Sequence, residues 1–122
     1  FHLEPGQSFA GGGMYMPMPD DLRKVRQEID YNWDAFKKII GSKNFKTVYG
    51  ELDRSEEYLL SRIPKGYEAD NPAAEYLKLK SFVTMIPLKD AELNSKDLTK
   101  KVLSAFEALQ PLLEFINQSI EG

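Results

Sequence analysis

The chain contains no cysteine. That excludes disulfide staples, thiolate nucleophiles and cysteine-ligated zinc, and it fits a cytoplasmic protein. Histidine occurs once, at His2. A histidine-based triad would have to use it, with Ser8 the nearest hydroxyl, yet no nucleophile-elbow pattern surrounds any serine. His2 therefore reads as a strand-surface residue. No apolar run approaches the roughly 18–20 residues that span a bilayer, and no signal peptide is visible, so no membrane partner is expected. Positive charge is not in surplus. Sixteen Lys and Arg face 19 Asp and Glu, for a net charge of −3. Nucleic acid is not expected as a partner, because neutralising phosphates needs excess positive charge. Internal repeats and low-complexity tracts are also missing.

What the chain does have suits one domain. Its 122 residues are 42% hydrophobic and 11% aromatic, enough for a real core. Phe1 to Glu4 alternates like a half-buried strand, and Glu4-Pro5-Gly6-Gln7 reads as a turn. A second strand should run over 8–16, weakened by Gly11-Gly12-Gly13. Pro19, Asp20 and Asp21 open a helix, with proline and acids in its first turn. Leu22, Val25, Ile29, Trp33, Phe36 and Ile40 form one apolar stripe along it. Asn32 should interrupt that helix only mildly, and Gly41 should end it.

Residues 42–57 carry little pattern beyond a brief alternation at Phe45–Tyr49. Residues 58–63 read as a strand, Pro64-Lys65-Gly66 as a type I turn, and Asn71-Pro72 as the start of a short helix over 72–79. Phe82 to Ile86 has the strongest strand character, halted by Pro87. Asn94 reads as the cap of the last helix, with Leu93 and Leu98 stapled across it. Its stripe is Leu98, Val102, Phe106, Leu109, Leu113, Ile116 and Ile120, with a kink or break expected near Pro111. The fold expected is α+β: strands near 1–4, 8–16, 58–63 and 81–87 in a mainly antiparallel sheet, helices on one face.

Candidate chemistry is sparse. The triple glycine lacks the directly following helix and Lys-Ser/Thr of a phosphate loop, so a bulge or packing role fits it better. Asp20-Asp21 serve the helix dipole and Glu56-Glu57 read as loop, so no metal or cofactor is expected. The most site-like stretch is SRIPKGYEADNPAAEYLKLKSF, residues 61–82. Arg62, Lys65, Tyr67, Asp70 and Lys80 could hold a phosphate or carboxylate near a helix start. The plainer reading pairs its cations with Glu68, Asp70 and Glu75 on the surface, and it stands ahead.

Two stretches carry a family resemblance. Residues 2–29, HLEPGQSFAGGGMYMPMPDDLRKVRQEI, give a strand and turn, a Gly-rich strand ending in proline, and a helix with Arg26 in Val25-Arg26-Gln27. Residues 62–82, RIPKGYEADNPAAEYLKLKSF, and Pro111 to Ile116 supply the rest. Together they resemble the DUF2461 family. The resemblance implies that the chain is the C-terminal portion of a larger domain. Its partner would be an N-terminal half of the same protein that carries a basic segment. Alone, the chain is then expected to be weakly stable or to associate through an open sheet edge. The resemblance brings a fold and no reaction. The functional expectation is a binding or interaction domain for a small anion or a protein partner. The alternative is an enzyme whose polar site is shared with that N-terminal half.

Overall fold

The computed structural model of the chain describes residues 6–89 and 97–121. It is an α+β fold. Strand β1 (Ser8–Met14) pairs antiparallel with β2 (Phe82–Leu88), Ser8 opposite Leu88 and Met14 opposite Phe82. Side chains alternate along a strand. Ser8 and Ala10 therefore share a buried face with Phe82, Thr84 and Leu88. Phe9, Gly11 and Gly13 share the other face with Val83, Met85 and Pro87, where Met85 is 45% exposed.

The helices are α1 (Pro19–Tyr31), α2 (Trp33–Ile40), α3 (Lys43–Val48), α4 (Ala74–Leu77) and α5 (Leu98–Glu121). The expected α1–α2 stripe packs as read: Val25, Ile29, Phe36 and Ile40 are buried, and Leu22 and Trp33 lie against them. Asn32 separates the two helices at φ −111° and ψ 46°. The break is mild, because the Asn32 N–H still donates to the Glu28 carbonyl and its own carbonyl accepts from the Phe36 N–H. α5 lies over β1 and against α1, α2 and α3. Phe36 joins the layers, its ring 5.2 Å from Phe115 and 5.5 Å from Tyr76.

Several expectations change. α5 buries Ala105, Ala108, Leu109, Leu112, Phe115, Ile116 and Ser119, whereas Phe106 is 40% exposed. The buried line runs through small residues because the helix sits close to a glycine strand: a Cβ on Gly12 would come within 3.0 Å of Leu109. α5 continues through Pro111 from Leu98 to Glu121. The proline removes one backbone donor without ending the helix. Residues 58–63 are not a strand. A 3-10 turn occupies Glu56–Tyr58, and one bridge links Leu59 to Leu79. That pairing cannot extend far, since α4 ends at Leu77 just before it.

Phe45–Val48 lies within helix α3, not in an extended run. Ser42 caps it, its Oγ accepting from the Phe45 N–H at 3.2 Å. β2 includes Pro87. The Val83 carbonyl points to the Asp53 N–H, away from β1. By the same two-residue period the Pro87 nitrogen faces that outer edge, where a missing N–H costs no β1–β2 bond. The 64–67 turn is shifted by one residue. The Tyr67 N–H donates to the Pro64 carbonyl, and Gly66 takes the third position at φ 97°. The expected strand at 1–4, His2, the Asn94 cap and the Leu93 staple lie outside the described residues.

Candidate functional site

Asn71 organises the middle of the candidate stretch. Its Oδ1 accepts from the Ala73 N–H at 2.8 Å, and its carbonyl accepts from the Ala74 N–H, which starts the single turn of α4. Its Nδ2 donates to Asp30 Oδ1 at 2.7 Å. One side chain thus shapes the turn before α4 and fastens the 67–71 loop to α1; the N-cap of α4 is Ala73, so the expected Asn71 cap and a first helical position at Pro72 are not formed. After α4 the chain turns back: the Leu60 N–H donates to the Lys78 carbonyl and the Lys80 N–H to the Tyr58 carbonyl.

On this scaffold Arg62, Lys65 and Asp70 are exposed, and Tyr67 and Lys80 are half-buried. The expected local ion pairing is only partly formed. Glu75 takes Arg54 at 2.9 Å and Lys78 at 3.7 Å. Among the described residues, no carboxylate stands at ion-pair distance from Arg62, Lys65 or Lys80, and Asp70 takes no cation.

The structure adds Arg26, which the sequence offers only as part of the Val25-Arg26-Gln27 motif. Its Nη2 donates to the Leu79 carbonyl at 3.0 Å. Its Nε is buried without a hydrogen-bond partner among the described residues. Burial draws its pKa below the ordinary arginine value, and Tyr67 opposes that shift. The group remains a cation at neutral pH. Burial first, then the charge of Asp30, raises the Tyr67 phenol, while Arg26 and Arg23 counteract. Arg23 itself is held by Asp20 at 2.8 Å. The signal for Arg26 was positional. It follows Val25 and precedes Ile29 by three residues, at the margin of the apolar stripe, where a long side chain is drawn partly under a neighbouring loop.

Arg26 and Tyr67 are therefore electrostatic neighbours, Arg26 holds the carbonyl just before Lys80, and Arg62 precedes, and Lys65 lies within, the turn that ends at Tyr67. These groups are hydrogen-bond donors: a guanidinium, a phenol kept protonated, and ammonium groups. Such a set can hold an anion. Among the described residues no helix is long and apolar enough to cross a membrane.

The family model described as conserved hypothetical protein (DUF2461) matches residues 1–115. No curated protein and no solved structure matches the chain.

Proposed function

The chain belongs to the DUF2461 family, and we propose that it is a binding domain for a small anion. The reading takes Arg26 and Tyr67 as its core and adds Lys80, which follows the Leu79 carbonyl that Arg26 holds, with Arg62 and Lys65 from the segment before Tyr67. The observation that carries this reading is Arg26: a half-buried guanidinium with no carboxylate partner among the described residues and one unsatisfied N–H. A buried cation without a counter-charge is costly, and an anion relieves that cost. Arg62, Lys65 and Lys80, unpaired among the described residues, add attraction, set against the Asp30 charge that reaches Tyr67. Protonated, these groups supply positive charge and hydrogen-bond donors, which is the chemistry of anion binding.

The same reading takes the chain as one domain completed by an N-terminal half. Met85, 45% exposed on the outer face of the sheet, fits that partner. A cytoplasmic location belongs to the reading and rests on the cysteine-free composition.

Nitrogen-15 NMR with inorganic phosphate tests the site. The Arg26 Nε–H and the Tyr67 and Lys80 amides are expected to shift first. Arg62→Ala combined with Lys80→Ala is expected to weaken binding by at least about tenfold, since two charge-assisted contacts are lost. Unchanged affinity in that double variant, or shifts spread evenly over all surface lysines, would reject the reading.

A further inference from the structure

A concavity lies between α2, the end of α3 and α4. It measures about 800 Å³, and its walls include Trp33, Asp34, Lys37, Lys46, Glu51 and Tyr76. Small-molecule sites fall at about 300–1,000 Å³. One wall is aromatic and fixed. Trp33 and Tyr76 stand 5.6 Å apart with a 39° tilt. The Tyr76 hydroxyl donates to Glu51 Oε2 at 2.9 Å, and the Arg54 guanidinium lies 5.4 Å from the Tyr76 ring centre. The other wall is cationic. Lys37, Lys38 and Lys46 line it, and among the described residues none has an ion pair.

Two carboxylates, Glu51 and Asp34, offset part of this charge, and the three lysines leave the lining net positive. Glu51 is occupied on both oxygens, Oε1 accepting from the Leu52 N–H and Oε2 from Tyr76. Asp34 is the remaining carboxylate of the lining. The helix dipole explains why lysines end α2 and α3. It does not explain why they gather around a half-buried tryptophan. An exposed aromatic surface next to unpaired ammonium groups suits a ligand with a planar ring and an anionic group. Trp33 and Tyr76 stand too close to sandwich a ring, and Phe36 lies 6.2 Å from Trp33, so a planar group would meet the half-buried Trp33 from the groove side.

We propose that this groove binds a nucleoside monophosphate, its base against Trp33 and its phosphate between Lys37 and Lys46. This site shares no lining residue with the Arg26 and Tyr67 cluster, and it does not rest on that reading. A free mononucleotide is favoured over the end of a nucleic acid, because the chain carries a net charge of −3.

Trp33 is the sole tryptophan, so its fluorescence reports the groove directly. AMP is the probe, with isothermal calorimetry as the second measurement. AMP is expected to quench Trp33 saturably and to release or absorb heat with the same midpoint. Adenosine alone and inorganic phosphate alone are each expected to bind at least about tenfold more weakly. Lys37→Glu with Lys46→Glu, both on exposed positions, is expected to abolish AMP binding while the protein still melts cooperatively, lowered only by the lost helix-end charges. Arg62→Ala with Lys80→Ala is expected to leave AMP binding intact, which separates this site from the anion site above. The proposal is overturned by silence in both measurements up to ~10 mM AMP. Full AMP affinity in the lysine variant overturns it too, as does binding of a short oligonucleotide without binding of AMP.

Discussion

Tyr76 is a phenol held between an acid and a cation. Burial, then the hydrogen bond to Glu51, push its pKa up to about 12, from about 10 in an unfolded chain. Between those values the unfolded chain has released the proton and the native protein still binds it. The stability tied to this group is therefore complete below pH ~10 and is lost as pH rises toward ~12. Urea unfolding across that window is expected to show a decline that Tyr76→Phe flattens. Equal slopes in both proteins would mean that Tyr76 and Glu51 are not bonded in solution. At this scale the sequence was partly legible. Asn71 and Gly66 announce their backbone roles through residue type. Arg26 and Glu51 do not, because their roles depend on which loop arrives over them.

The glycines of β1 are not equivalent. A Cβ on Gly11 would stand 2.2 Å from the Thr84 carbonyl oxygen, and one on Gly13, at φ 130°, 2.0 Å from that of Phe82. Both obstacles are backbone of the paired strand. On Gly12 the nearest atom is a Leu109 methyl at 3.0 Å, the end of a flexible side chain. Gly11→Ala and Gly13→Ala are each expected to cost about 3 kcal/mol or more, and Gly12→Ala within about 1 kcal/mol. Chemical denaturation of the three variants checks the order; similar losses in all three would reject the close approach of β1 to β2. Strand β1 and the α1–α2 stripe were readable because apolar spacing and glycine content act locally. The 58–63 segment was misleading, since extended propensity needs a partner and α4 leaves room for a single bridge. Helix α3 was hidden because its identity rests on the Ser42 cap, while Phe45 to Tyr49 alternates like a strand.

The whole molecule is an aromatic-centred core between α1–α2 and α5, with a narrow sheet at its side. The class was legible from periodicity. The facing of α5 was not, because the close seat on β1 selects Ala105 and Ala108 over the larger Val102 and Phe106. The sheet itself joins Ser8 to Leu88 across most of the chain. That distance governs the order of assembly. Closing so long a loop must precede any reward from the ladder, whereas α1 and α2 can meet at once. Ile29→Val is therefore expected to slow folding in stopped-flow mixing. Gly11→Ala is expected to speed unfolding and barely change the folding rate. The reverse pattern would put the sheet in the folding nucleus. If the sheet does form last, β1 and β2 are also the first elements to part. The protein then reaches its unfolded state through a species whose helices are still assembled.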